Sequence, residues 1–155
     1  PRSGIDYFIY SGGLYEDIPP FAIGRTTWDN WLIYRARSLK AAVIDATQVI
    51  TAIHQNHDYL HDVGGETNVW KGPEAVRNRE LAGGGEQVLT LEHATWRLTS
   101  RGIKRALTPR DVYFRMDAIP VLFVYLRFLR GPMRILTKLI VATRSLLGIG
   151  QKTEP

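Results

Sequence analysis

Residues 26–39 read TTWDNWLIYRARSL, and the fold class turns on this stretch because it is a helix lying between strand-like runs. Trp28, Trp31, Leu32, Arg35 and Leu39 follow helical spacing. Thr26 or Thr27 supplies an N-cap, and Asp29 falls in the first turn, where a carboxylate favours the helix dipole. Upstream, Ile5 to Tyr10 (IDYFIY) is dense in β-branched and aromatic residues and runs into Ser11-Gly12-Gly13, the pattern of a strand entering a turn. Downstream, Ala41 to Ala46 and Val49 to His54 are two more β-branched runs, divided by Thr47-Gln48, and both are expected to be strands. Strand, helix, strand in that order predicts an α/β chain.

Further out the signals are more uneven. Leu14 to Arg25 contains Pro19-Pro20 and Gly24 and cannot be one regular element. His57 to Gly72 is polar around Gly64-Gly65 and reads as a surface loop. Pro73 to Ala82 (PEAVRNRELA) carries Pro at a first helical position and three glycines behind it, which predicts a helix. Val88 to Thr99 fits either strand or helix, and Arg101 to Leu107 reads as a short basic turn or helix. Two helical segments are expected from Pro109 onward, broken at Gly131-Pro132.

The chain of 155 residues is long enough to bury a core, and 45% apolar with 23% charged residues is a globular composition. It contains no cysteine, which excludes disulfide frameworks, thiolate zinc sites and cysteine nucleophiles. Its formal charge of +5 is unevenly spread. Residues 1–117 hold 14 basic and 14 acidic side chains, and residues 118–155 hold 6 basic and 1 acidic. A neutral body argues against a nucleic-acid binder, whose basic surface would be broad. The sequence starts at Pro1 with no basic-then-apolar leader behind it, so no signal peptide is visible, and the expected location is cytoplasmic or membrane-peripheral.

Two clusters could carry chemistry. His54-Gln55-Asn56-His57-Asp58-Tyr59-Leu60-His61 places three of the four histidines just after an expected strand. Imidazole and carboxylate suit divalent metals, and strand ends are where α/β proteins place binding groups. Loop histidines bonded to backbone are the competing reading, and Asn56 and Asp58 also favour turns for purely structural reasons. The second cluster is Trp28-Asp29-Asn30-Trp31. Asp29 serves the helix dipole or acts as a base, and the tryptophans pack in the core or frame a sugar-binding face.

The run from Asp6 to Tyr59 resembles the second half of glycosyltransferases with the GT-A, nucleotide-diphospho-sugar transferase fold. The resemblance is carried by PPFAIGR at Pro19 to Arg25, WDNW at Trp28 to Trp31 and HQNHDY at His54 to Tyr59, and extends more weakly through GPEAVRNRELAGG. It implies that residues 1–108 form the catalytic, acceptor-side segment of such an enzyme, the C-terminal half of a GT-A-like mixed sheet flanked by helices, transferring a sugar from a nucleotide-sugar donor to an acceptor. Asp29 would then be the base that deprotonates the acceptor hydroxyl, and His54 a ligand of Mn2+ or Mg2+ at the diphosphate. Asp6, Arg25, Trp28, Asn30, Asn56, His57, Asp58 and Tyr59 would line the substrate pocket. The family's upstream nucleotide-binding half, its D-x-D metal motif and a Gly-rich phosphate loop have no counterpart in these residues, so the expectation is a C-terminal portion or subunit of a larger transferase.

Residues 109–150 read as an appended basic helical tail. Arg127, Arg130, Arg134 and Lys138 are spaced 3, 4 and 4 along one stripe, with Leu126, Phe128, Leu129, Met133, Ile135 and Leu136 filling the rest. The longest uncharged run, Ala118 to Leu126, is nine residues, well short of the about 20 a membrane span requires. Such a helix either lies on an anionic membrane surface or packs its apolar face on a partner domain. A noncatalytic binding or membrane-surface module is therefore the alternative to the enzyme.

Overall fold

The computed structural model describes residues 5, 7–53, 65–132 and 135. Over these the chain is of the α/β class, with four α-helices and a small mixed sheet of three strands. Helix α1 spans Trp28–Ser38 and buries Trp31, Leu32, Ile33 and Ala36, the inner face that the tryptophan-leucine spacing predicts. Its N-cap residue is Thr27, whose φ of 86° is costly for a β-branched residue. The Thr27 hydroxyl lies 2.9 Å from the Thr26 hydroxyl and makes no capping bond to the helix.

The strands are β1 (Ile44–Asp45), β2 (Trp96–Thr99) and β3 (Gly102–Arg105). β1 runs parallel to β2, with Ile44 opposite Trp96, and β2 runs antiparallel to β3, with Trp96 opposite Arg105. The Arg105 guanidinium sits over the Trp96 ring, 5.2 Å from its centre. The basic stretch after Arg101 is therefore an edge strand. The stretch from Val88 divides into a turn of 3-10 helix at Leu91–His93 followed by β2.

Sequence and structure part in three more places. Residues 7–10 belong to no strand; Ile5 and Phe8 pack on the core while Tyr7, Ile9 and Tyr10 face solvent. The β-branched and aromatic content favours an extended chain, but a strand also needs a partner for its backbone bonds, and none of the described strands pairs there. The expected strand over Val49 to His54 is absent across residues 49–53. The Asp45 carboxylate accepts bonds from the Thr47 N–H at 2.9 Å and the Thr47 hydroxyl, and the amides of Val49 and Ile50 both return to the Ala46 carbonyl, so the chain turns instead of extending. The stretch read as a loop to Gly72 contains helix α2, Gly65–Lys71, which opens with Glu66, closes with Lys71 and buries Val69.

Helix α3, Pro73–Leu81, follows α2 after the single residue Gly72, with Pro at its start as expected. Helix α4, Pro109–Leu122, is capped by Thr108: the Asp111 N–H donates to the Thr108 hydroxyl, and the Asp111 carboxylate accepts from the Thr108 N–H at 2.8 Å. Pro120 removes one helical amide, and Phe123 takes an extended conformation. The helix therefore ends there, and not at Gly131-Pro132, since residues 130–132 are helical again. A 3-10 run, Val124–Leu129, lies between.

Two clusters make the core, and α1 contributes to both. Ile33 packs with Leu89, Ala118 and Val121, joining α1 to α4. Trp31 and Leu32 pack with Ala82, ringed by Phe8, Tyr15, Phe21 and Trp28. Burying side chains of this size contributes about 1.5–3 kcal/mol each, so α1 is the element on which the rest is assembled.

Candidate functional site

The segment PPFAIGRTT approaches α1 as irregular chain, and its position is set by one buried amide on α3. Asn78 is fully buried. Its Oδ1 accepts the Ala22 N–H at 2.9 Å, and its Nδ2 donates to the Ala22 carbonyl at 2.9 Å and the Thr26 carbonyl at 3.1 Å. Arg25 extends the same link by donating from Nε to Glu74 Oε2 at 2.8 Å, at the start of α3. Arg25 thus bridges two segments of backbone and is not directed at the cleft described below.

Asp29 stands in the first turn of α1, partly buried, and its Oδ1 accepts the Asn30 N–H at 2.8 Å. Loss of water around the carboxyl raises its pKa above the ordinary 3.8, and backbone N–H groups offset part of that rise. A carboxyl moved upward in this way is a stronger proton acceptor once ionised. Trp28 meets Phe8 at a tilt, with ring centres 5.7 Å apart, and borders the second core cluster, so it packs as an aromatic support for the start of the helix.

Asn30 is clamped to the segment ahead of the 3-10 turn by a reciprocal pair: Nδ2 donates to the Leu89 carbonyl and the Leu89 N–H donates to the Asn30 carbonyl, each at 3.1 Å. That clamp forms one wall of a cleft of about 210 Å³ lined by Asn30, Val88, Leu89, Thr90, His93, Asp117, Val121 and Arg130. Of the described residues expected at the site, Asn30 alone lines it. Asp6, His54, Asn56, His57, Asp58 and Tyr59 lie outside the described residues.

His93 and Asp117 are the residues that the sequence reading missed. His93 Nδ1 accepts the Thr90 N–H at 3.0 Å, which leaves the proton on Nε2 facing Asp117 Oδ2 at 3.4 Å. The imidazole also meets Phe114 edge-on at 5.2 Å, and the His93 carbonyl accepts a bond from Arg37 of α1. The Arg37 guanidinium is depressed below its ordinary pKa by burial and by the neighbouring Arg115 charge. A signal for Asp117 does exist in the sequence. Phe114, Ala118 and Val121 mark the inner face of α4, and Asp117 is a charged residue placed on it.

Among the described residues no three His, Asp or Glu side chains stand together so as to hold a metal ion, and no helix is long and apolar enough to cross a membrane. No family model, no curated protein and no solved structure matches this chain.

Proposed function

We propose that this chain forms the acceptor side of a glycosyltransferase, in which Asp29 takes the proton from an acceptor hydroxyl as that oxygen attacks the anomeric carbon of a nucleotide sugar. The bond from the anomeric carbon to the diphosphate breaks in the same step, and the nucleotide diphosphate leaves with its electron pair. The observation that carries the reading is the raised carboxyl of Asp29 at the first turn of α1, one residue from the Asn30 wall of the cleft. The motif resemblance supports it independently. A Mn2+ or Mg2+ at the diphosphate with His54 as a ligand belongs to the same proposal; His54 is outside the described residues, and no step is drawn through the metal.

Asp29→Asn in the full-length gene product tests this. Transfer to acceptor should fall by at least about a hundredfold, the usual loss on removing a general base, while donor binding holds. The acid limb of the wild-type pH–rate profile should lie above pH 3.8, because the base must ionise and its pKa is raised. Unchanged turnover in the variant would remove Asp29 from the mechanism.

A second reading, a module seated on an anionic membrane or a partner domain, is favoured by one observation. Val112, Met116 and Ile119 form an exposed stripe at spacings of 4 and 3 on α4, and exposed Phe123, Val124, Tyr125 and Phe128 follow it. Sedimentation with vesicles containing phosphatidylserine, compared with neutral vesicles, tests it; equal recovery on both removes the electrostatic part.

A further inference from the structure

The cleft beside Asn30 has a chemistry of its own. Val88, Leu89 and Val121 give it an apolar wall, and Asn30, Thr90, Asp117 and Arg130 give it polar groups. His93 is nearly buried, whereas Asp117 keeps 31% of its side chain exposed. With Nδ1 occupied by the Thr90 N–H and Nε2–H directed at Asp117, the imidazole is committed to orienting a carboxylate and is not itself the group offered to a ligand. Arg130 donates to Glu86, so the cationic group of the cleft is matched by a carboxylate before any ligand arrives.

This balance discriminates between ligand classes. A phosphate would meet the Asp117 carboxylate, while Arg130, the cation that could receive it, is already paired with Glu86. A neutral polyhydroxylated molecule meets no such repulsion, since hydroxyls donate to carboxylate and amide oxygens and accept from guanidinium. Size narrows it further. About 210 Å³ is below the roughly 300 Å³ at which pockets begin to enclose drug-sized ligands, so the cleft matches a single sugar ring better than a whole nucleotide sugar.

The geometry points to this cleft as a binding site for a neutral sugar ring or similar polyol, with Asp117, held by His93, and Asn30 engaging its hydroxyls and the valine-leucine wall covering its apolar face. Calling that ligand the acceptor rests on the transferase reading above. Binding itself does not.

The test is a titration of the 15N-labelled 155-residue chain with methyl α-glucoside, methyl β-galactoside and methyl α-mannoside, and separately with inorganic phosphate. At least one glycoside should move the amide resonances of Asn30, Leu89, Thr90 and His93 saturably, and phosphate should leave them in place. Asp117→Asn should weaken that binding about tenfold or more, the scale of a bond to a charged group. His93→Phe, which keeps the edge-on packing with Phe114, should weaken it too. His93→Gln, which restores a donor toward Asp117, should recover much of the loss, an outcome that a purely structural role would not produce. Failure of every glycoside to move these resonances overturns the site, as does saturable binding of phosphate there or wild-type affinity in a folded Asp117→Asn. Glycoside binding combined with unchanged turnover in Asp29→Asn would sink the transferase and leave the site standing. An Asp29-dependent transferase whose cleft ignores every glycoside would do the reverse.

Discussion

Replacing Asn78 by Leu should be among the most damaging single changes in the described chain, although Asn78 is a surface-type residue in sequence and touches no candidate ligand. It keeps the volume and removes three hydrogen bonds, two to Ala22 and one to Thr26. Each such bond contributes about 1 kcal/mol net, and each buried partner left unpaired costs about 1–3 kcal/mol. Ala22 and Thr26 are only partly buried, so water re-solvates some of what is lost. The expected loss is about 3 kcal/mol, a large share of the roughly 5–15 kcal/mol that holds an ordinary domain. Urea unfolding followed by tryptophan fluorescence would show the midpoint falling with the slope unchanged. Hydrogen exchange supplies the local test, since the Ala22 amide, which now donates to Asn78, should lose protection before the amides of α3 do. A loss under about 1 kcal/mol with Ala22 still protected would mean that the amide is incidental and that the start of α1 is held by something else.

Other perturbations read out single features. Asp111 is buried, which alone would raise its carboxyl, but the Thr108 hydroxyl and N–H and the Arg97 guanidinium together hold it below the ordinary 3.8. Its contribution to stability is therefore complete above pH 3.8 and disappears as pH falls through the lower folded value; Asp111→Asn, measured by denaturant midpoint against pH, should flatten that acid dependence. Thr27→Gly should stabilise the chain by up to about 1 kcal/mol in thermal unfolding, because it relieves the left-handed φ without removing any capping bond. Gly72→Ala should cost about 1–3 kcal/mol, since the new Cβ would stand 2.5 Å from the Asn68 carbonyl oxygen and force α2 away from α3; a neutral result in urea unfolding would show that the junction yields freely.

The elements that the sequence foretold are those whose determinants lie within one segment. α1 and α3 carry their own spacing, their own first-turn acid and, for α3, their own proline, and both appear within a residue of the expected bounds. What failed depends on partners distant in the chain. Residues 7–10 have the composition of a strand and no described strand beside them, and the run from Val49 loses its extension to a turn set by Asp45 and Thr47. β3 was hidden because Gly102, Lys104 and Arg105 are weak strand formers, held in place by pairing with β2 and by Trp96 beneath Arg105. The same limit governs the site. Asn30 was found through its neighbours Trp28 and Asp29, whereas His93 and Asp117 are 24 residues apart and become a pair only when α4 packs against the 3-10 turn.

Helix α1 links these observations into one argument about function. Its first turn holds Asp29, and the loop entering it is fixed to α3 by Asn78 and Arg25. One residue on, Asn30 exchanges backbone and side-chain bonds with Leu89 and becomes a wall of the cleft. In its last turn Arg37 binds the carbonyl of His93, the residue that orients Asp117. The raised carboxyl and the polyol-sized cleft therefore hang on the same rigid rod, and a base must keep its position relative to bound substrate to within fractions of an ångström to be effective. This also gives a physical reason for PPFAIGR, WDNW and GPEAVRNRELAGG to occur in one chain: the third segment supplies Asn78 and Glu74, which hold the first in place, and the first sets the entry of the helix that begins with the second. On the transferase reading, loosening the Asn78 link should accordingly reduce turnover more than glycoside binding at Asp117, because Asn30 is also clamped to Leu89 and the His93 carbonyl is also held by Arg37.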